Sequence, residues 1–532
     1  MSYKTLTNIF TFSWVILCIA GTFTYSQSFT DPYIIPKWLA VISIALSLGV
    51  CYSIRFLLGR LVPLDLRTLG ISMLILCSVQ AVCGLLQFFS LPPSQSVYKV
   101  TGTFDNPAGF ASCLCCCLPF IVFMILHCNK HVRYISWIAG GLTVTAVFVS
   151  YSRSGIISII TICVIFLCKT LIHKKLLKYF LPVFVVGLLI IVGYSIKKDS
   201  ADGRLLIWKC GLEMVKDAPW LGHGIGSFEA HYMDYQADYF RHQGLQNRYA
   251  MLADNVKQPF NEYLGILINW GIVGFLLLSG IISILIYCYK QNPTLEKKVA
   301  FYCLISIAIF SCFSYPFTYP FTWIVLFLAV IILIGEYLKQ IKITKRNRTI
   351  ISILVMICSF IGIIKVTERI RIERDWYKTS VFGLCHSYDK ALPLYANLEY
   401  KFDNNPYFLY NYAAVLSEDK HYEESLKIAL KCRQYWADYD LELMIGENYQ
   451  NLDNLELAEK YYNNAAMMCP SRFLPLYKLF HLYKESNNHN QAQKLAEIII
   501  NKPMKIKTPT ILMMKREMKR EIATLNEFTK KL

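Results

Sequence analysis

Two arginines and a glycine-rich string of this 532-residue sequence could bind a phosphate group. Arg153 lies in the string YSRSG, and Arg204 lies near the start of a helical stretch that ends before a proline. Guanidinium groups bind phosphate oxygens through paired hydrogen bonds. The string GHGIG contains Gly224 and Gly226, which would let backbone amides approach the same anion. In a second interpretation, the Arg153 side chain only extends from the membrane boundary to water.

The elements that must position these residues are membrane helices. Of all residues, 55% are hydrophobic and 17% are charged, which is too apolar for one soluble domain. The formal net charge is +18, but the basic residues lie between apolar segments without a nucleic-acid-binding motif, so no nucleic-acid partner is expected. Most of the nineteen cysteines lie in apolar runs, and we predict buried thiols rather than a disulfide framework. Four of them are Cys113, Cys115, Cys116 and Cys117.

The sequence predicts an all-α fold with a polytopic membrane domain of about eleven helices, each long enough to cross about 30 Å of hydrocarbon. Basic residues concentrate in alternate loops, which the positive-inside rule places in the cytoplasm together with the N-terminus. The large polar loop 197–259 and the C-terminal region are then non-cytoplasmic. The short span at 300–315 decides the side of the C-terminal region. The predicted spans are 9–25, 34–54, 68–90, 108–128, 134–150, 155–172, 179–196, 262–289, 300–315, 321–338 and 350–366.

A soluble helical domain is predicted for residues 369–532, after a membrane domain of residues 1–368. A period of about 34 residues appears there, which is the spacing of tetratricopeptide repeats. Gly446, Tyr449, Ala458, Tyr462, Ala465 and Pro470 fit one copy, and Tyr483 and Ala492 repeat two of these positions. Stacked hairpins would form an α-solenoid whose concave face suits a protein partner or the membrane domain itself. The alternative is an unspecialised helical cap.

The strings TGTFDNP, YSRSG, GRLLIWKCGLEMVKDAPWLGHGIGSF and NEYLGILINWGIVG, in this order around one large loop, resemble the O-antigen ligase and polymerase superfamily. The fused repeats look like a branch seen in Bacteroidota-type bacteria and in some protein O-glycosylating relatives. The resemblance implies a metal-independent glycosyltransferase of the bacterial inner membrane, without a cofactor. It would move a glycan from undecaprenyl pyrophosphate, on the periplasmic face, to a hydroxyl of lipid A-core sugar, of another glycan or of a protein.

The resemblance also implies roles for the arginines. Arg153 and Arg204 match the family's basic positions, and we expect both to bind the pyrophosphate, whose departure requires cations. Arg241 and Arg248, near the far end of the loop, are expected to assist them. The backbone amides of the glycine string would complete the pyrophosphate site.

One departure from the family concerns the general base. Many ligases have a histidine directly before the position of Asn261, and this sequence has Phe260 there, which cannot accept a proton. Either the catalytic base is another residue, with Glu262, Asp254 and two histidines as candidates, or the departure of the leaving group dominates and a weak base suffices. Glu262 is favoured because a carboxylate at the membrane face is costly unless it works or is paired. Alternatively, Glu262 only stabilises the start of a helix. The two histidines are His223 and His231.

Other functions are compatible with parts of this pattern. An O-antigen polymerase or a protein O-oligosaccharyltransferase would use the same motifs with a different acceptor. A non-catalytic scaffold or a transporter is the alternative of another class, motivated by Phe260. A transporter should show internal repeats and charges at mid-membrane, whereas the charges here lie at the membrane boundary and in one loop. No metal site is predicted, because the ten histidines lack ligand spacing.

Overall fold

The computed structural model describes residues 3–57, 65–91, 98–171, 198–340 and 343–529, with a few residues between 181 and 188. These residues form helices and no β-strand, which confirms the predicted all-α fold. The helices are α1 (Tyr3–Phe23), α2 (Ile34–Leu57), α3 (Leu66–Phe88), α4 (Pro107–His127), α5 (Lys130–Val149), α6 (Arg153–Leu171), α7 (Lys198–Asp217), α8 (Ser227–Gln243), α9 (Glu262–Gln291), α10 (Leu295–Ser311), α11 (Pro320–Gln340), α12 (Lys345–Leu384), α13 (Tyr388–Glu399), α14 (Pro406–Glu418), α15 (Tyr422–Arg433), α16 (Tyr439–Asn451), α17 (Leu455–Met468), α18 (Leu474–Glu485), α19 (His489–Asn501) and α20 (Pro509–Thr529).

The chain divides into two compact units. The membrane unit comprises Met1–Ile196, Phe260–Glu262 and Leu277–Tyr377, and the repeat unit comprises Lys197–Pro259, Tyr263–Leu276 and Lys378–Leu532. The predicted boundary at residue 368 therefore falls inside the continuous helix α12. The large loop, predicted as part of the membrane domain, packs with the C-terminal helices in the repeat unit.

Within the described residues, seven helices are long and apolar enough to cross a membrane, which confirms a multi-pass membrane protein. They are α2, α3, α4, α5, α9, α11 and α12. Two shorter apolar helices correspond to the spans predicted at 9–25 and 155–172. The span predicted at 300–315 forms the 17-residue α10, and the span predicted at 179–196 lies outside the described residues.

Helix α4 forms the centre of the membrane unit. Asn106 caps its first turn by accepting hydrogen bonds from the N–H groups of Ala108 (2.8 Å) and Gly109 (3.0 Å), and Pro107 occupies the first position. An asparagine cap followed by a proline is a favourable start for a helix. The helix packs against α3, α5, α6 and α10, and it is buried from Gly109 to Ile121. Its four neighbouring cysteines are buried free thiols, as predicted.

Pairs of antiparallel helices form the C-terminal part of the repeat unit. Helices α14 and α15, α16 and α17, and α18 and α19 pack as three consecutive hairpins. Gly446 lies against the ring of Tyr462, where a Cβ would come within 2.6 Å of that ring. Ala458 and Ala492, one repeat apart, are both fully buried. The helical solenoid expected from the sequence period is therefore present.

Two glycines join the large loop to a break in helix α9. The helical backbone is interrupted at Gly271, where φ is 60° and ψ is −160°. A Cβ on Gly271 would lie 2.3 Å from the Trp220 oxygen, and a Cβ on Gly222 would lie 2.5 Å from the Asn269 carbonyl carbon. The loop satisfies backbone groups that the break exposes, as every buried helix end requires. The bonds are His223 N to Ile268 O (2.8 Å), Gly224 N to Asn269 O (3.0 Å), Ile272 N to Pro219 O (2.8 Å) and Val273 N to Trp220 O (3.2 Å).

Gly271→Ala and Gly222→Ala are expected to destabilise the repeat unit by at least about 2 kcal/mol, because both combine a left-handed backbone with a backbone clash. The measurement is the temperature at which the loop becomes protease-sensitive in purified detergent-solubilised protein. Gly280→Ala, in the same helix but with no atom within 4 Å of its Cβ, is the control. Equal stability of all three variants would contradict the proposed role of the glycines.

Candidate active site

The segment 312–319 between α10 and α11 gathers polar groups at one end of the membrane unit. The Tyr319 hydroxyl donates to Asp105 at 2.9 Å, and the Asn106 amide donates to the hydroxyls of Tyr319 (2.6 Å) and Tyr315 (3.2 Å). Burial raises the pKa of Asp105, and the hydrogen bond from Tyr319 opposes that shift. This network fixes the segment to the start of α4.

The turn that contains Asp105 is itself held by buried polar side chains. The ammonium group of Lys37 is buried and donates to the backbone oxygens of Thr103 (2.8 Å) and Thr24 (2.9 Å). The Gln87 amide accepts from the Gly102 N–H at 2.7 Å and donates to the Gly102 oxygen at 2.8 Å. Since buried polar groups are stable only when paired, these contacts fix the backbone before α4.

Glu262, the predicted base, is the first residue of α9 and contacts the same segment. Its carboxylate is partly buried and accepts a hydrogen bond from the Phe317 N–H at 3.2 Å. Phe260 adopts a left-handed backbone with φ of 52°, and its ring packs edge-on against Tyr315 at 5.3 Å between centroids. Glu262 is thus placed beside the segment by a backbone amide.

Arg153, the first residue of α6, also lies next to segment 312–319. The neighbouring Ser154 hydroxyl donates to the Phe313 carbonyl oxygen at 3.3 Å, and Ser154 is buried. Three helices, α4, α6 and α9, therefore begin around this one segment. Helix N-termini carry partial positive charge, and with an arginine they form an environment that favours an anion.

In the repeat unit, Arg204 is part of α7, and Arg248, outside that helix, contacts it. Arg248 lies 3.8 Å from the buried carboxylate of Asp202, two positions before Arg204 on the same helix. The guanidinium of Arg248 and the ammonium of Lys209 lie over the Tyr249 ring, at 4.7 Å and 4.9 Å from its centroid. These contacts attach Arg248 to α7, the helix that also contains Arg204.

The glycine string, which was predicted to bind an anion, forms backbone hydrogen bonds with α9. The Gly224 N–H, proposed for an anion, donates instead to Asn269 in α9. Gly226 caps α8 with φ of 81°, and a Cβ on either glycine would meet no atom within 4 Å. The His223 ring lies 2.7 Å from the Met214 carbonyl oxygen, and the exposed His231 ring lies 6.4 Å from it. The close approach of the loop backbone to α9 is sufficient to explain why residue 222 is a glycine. The binding of an anion by Gly224 and Gly226 stays a prediction.

Asp254, the second predicted base, faces the C-terminal helices. Its carboxylate accepts from Arg472 at 2.7 Å and lies 3.7 Å from the ammonium of Lys505. Burial alone would raise the pKa of Asp254, but the hydrogen bond and charge of Arg472, with Lys505, hold it below its usual value. Arg241 likewise pairs with Asp238 at 2.5 Å and donates to Asn464 of α17. Both residues attach the loop to the repeats.

The loop docks on the repeats through further buried contacts. Arg433 pairs with Asp234 of α8 at 2.5 Å and with the fully buried Glu442 of α16. The Gln236 amide donates to the Met468 oxygen at 2.7 Å. The Lys257 ammonium lies between two aromatic rings of the repeats, Tyr407 (4.4 Å) and Trp436 (4.5 Å). The solenoid thus binds a segment of its own chain.

Several residues of the site were missed in the sequence. Tyr315 and Tyr319 stand in the repeated string YPFTYPF, which gives no sign of its distant partners. Trp208 donates from its indole to the Pro259 carbonyl at 3.1 Å, directly before Phe260. Trp208 lies inside one of the motif strings, and this position was the one feature of the sequence that could have marked it as a residue of interest. Among the described residues, no group of three His, Cys, Asp or Glu side chains could hold a metal ion.

Fold and site together define a multi-pass helical membrane protein joined to a helical solenoid. Residues 138–279 match the sequence model of the O-antigen ligase family. The resemblance inferred from the motifs is thereby confirmed. The matched range includes Arg153, Arg204, Glu262 and both interlocking glycines.

Two further proteins are similar to this chain. An uncharacterized protein of Haemophilus influenzae is 24% identical over 230 residues, which cover 37% of this chain and 54% of that protein. The chain therefore spans about half the length of this relative. The crystal structure of yeast Tom70 matches with 11% identity and a TM-score of 0.27, covering 80% of this chain and 90% of that one. A likeness at this level establishes neither fold nor function.

Arg433→Ala is expected to destabilise the attachment of the loop to the repeats by about 3 kcal/mol, because it leaves the buried Glu442 carboxylate without its cation. Limited proteolysis of purified protein measures this as faster cleavage within residues 197–259. Lys216→Ala removes an exposed cation that pairs only with Glu213, three residues away, and is the control. If Arg433→Ala and Lys216→Ala are cleaved at the same rate as wild type, the loop is not held by this contact.

Proposed function

We propose that this protein transfers a glycan from undecaprenyl pyrophosphate to an acceptor hydroxyl on the periplasmic face of the bacterial inner membrane. The observation that carries this proposal is the meeting of three helix N-termini around segment 312–319, with Arg153 and Glu262 as first residues of two of them. Such a site provides positive potential for a departing pyrophosphate and a carboxylate for an incoming hydroxyl. The family match over residues 138–279 supports a glycosyltransferase-type role in polysaccharide biosynthesis.

In the proposed reaction, the acceptor oxygen attacks the anomeric carbon and the bond from that carbon to the pyrophosphate breaks. The hydroxyl proton passes to the Glu262 carboxylate, and undecaprenyl pyrophosphate leaves with the bonding electrons. Arg153 and Arg204 would bind the pyrophosphate, because fixed cations stabilise the charge that develops on the leaving group. Arg248 is expected to assist them. Asp254 and Arg241, which bind the repeats, would act on the reaction through the loop.

The orientation belongs to the same proposal. Basic residues concentrate in the loops placed in the cytoplasm, so the N-terminus is proposed to be cytoplasmic and the repeat unit periplasmic. Membrane lipids surround the membrane unit. The acceptor is lipid A-core, a glycan repeat, as in an O-antigen polymerase, or a protein, as in an O-oligosaccharyltransferase. A protein partner on the repeats would bind outside the surface that the loop occupies.

Arg153→Ala and Arg204→Ala are each expected to lower glycan transfer on the order of 100-fold, because each removes a cation from the leaving group. A deletion strain carrying each variant is compared on parallel gels for lipopolysaccharide and protein-linked glycans. Loss of one glycan class identifies the acceptor. Arg371→Ala, at a guanidinium that is 86% exposed, is the control. Unchanged glycans with normally inserted Arg153 and Arg204 variants would favour the scaffold or transporter function instead.

Glu262→Gln is expected to lower the transfer rate on the order of 100-fold while leaving donor binding intact, because the amide keeps the shape but cannot accept the proton. The rate is measured with purified protein in lipid and a lipid-linked donor. Asp254→Asn distinguishes the two carboxylates, since it should lower activity only together with faster loop proteolysis. Full activity of Glu262→Gln would exclude this residue as the base.

A further inference from the structure

The segment 218–226 of the large loop, which we name the apolar loop, presents large hydrophobic side chains to the surface. The exposed fractions are 69% for Trp220, 73% for Leu221 and 84% for Ile225. The sequence has no charged residue between Asp217 and Glu229. Contiguous exposed apolar side chains mark a binding or membrane surface.

Several peptide groups of the apolar loop are hydrogen-bonded within the protein. The N–H groups of Gly222, His223 and Gly224 donate to Ala218 O, Ile268 O and Asn269 O, at 3.1, 2.8 and 3.0 Å. The carbonyl groups of Pro219 and Trp220 accept from the break in α9. Each peptide group paired in this way lowers the cost of entering the bilayer, because little water is available to it there. The imidazole of His223 is turned to the Met214 carbonyl.

The apolar loop is continuous with the apolar surface of a membrane-spanning helix. The apolar loop is hydrogen-bonded to the break in α9, which is one of the candidate spans. Large hydrophobic side chains are exposed on α9 as well, with exposed fractions of 45% for Trp270, 41% for Val273 and 62% for Leu276. Tryptophan is enriched where the hydrocarbon meets the headgroups. The surface thus extends from a helix that is a candidate membrane span.

We propose that the apolar loop inserts into the bilayer beside α9 and is covered by phospholipid acyl chains. The interlock between Gly222 and Gly271 then holds the loop at the depth of the break in α9, and the large loop is attached to the membrane surface at this point. This membrane contact is independent of the glycan transfer proposed above. The alternative, which the experiment below distinguishes, is that another protein covers these side chains.

The test places the photo-crosslinking residue p-benzoyl-phenylalanine at Leu221 or at Ile225 in the full-length protein in native membranes. After illumination, mass spectrometry of the purified protein identifies the adducts. Both positions are expected to give phospholipid adducts, at least about tenfold above the same residue at Tyr400, a repeat-unit position that is also 73% exposed. Two positions are used so that failure of one variant to fold does not decide the result.

Adducts with another protein, or only with undecaprenyl lipid, at positions 221 and 225 would overturn the proposal. Phospholipid adducts no more frequent than at Tyr400 would also overturn it. The outcome does not depend on transferase activity, because the experiment measures position and not turnover. Loss of lipid adducts in an active protein, or their presence in an inactive one, separates this inference from the proposed function.

Discussion

The backbone pairing between Gly222 and Gly271 is the contact on which the arrangement of the large loop depends. A hydrophobic helix cannot be interrupted without exposing N–H and C=O groups, and here residues 219–224 bind those groups. Each glycine is required because a Cβ would lie within 2.5 Å of the opposite backbone. Two motif strings far apart in the sequence are therefore the two halves of one contact. Their glycines serve this close approach first, before any contact with a ligand.

The large loop, residues 197–259, also needs a surface against which it can pack. Helix α8 packs against α7 within the loop and against α17 of the repeats. Ion pairs at Arg433 and Arg472 complete that interface. Because ordering a long loop has a large entropic cost, the buried contacts with the solenoid must offset it. The repeats thus contribute to the position of Arg204 and Arg248, although nothing in them resembles a catalytic motif.

Features of the sequence that are local were predictable, and pairings across long distances were not. Hydropathy predicted most spans, and Asn106 with Pro107 predicted the start of α4, because helix signals act within one turn. The hydrogen bond between Tyr319 and Asp105 joins residues 214 positions apart, and that between Arg472 and Asp254 joins residues 218 apart. A single sequence contains no signal for such pairs. For this reason Asp254 was predicted as a base, and its attachment to the repeats was not foreseen.

Phe260 occupies the position at which the sequence departs from the ligase pattern that it resembles. A residue with φ of 52° has a conformational cost unless its side chain is stabilised, and the ring of Phe260 packs against Tyr315. This position therefore has a structural function at the turn into α9, where a histidine would have had to combine that function with proton transfer. The carboxylate two residues later receives a hydrogen bond from the Phe317 amide of the same segment. The segment that packs against the phenyl ring thus also binds the carboxylate of Glu262, the residue proposed above as the base.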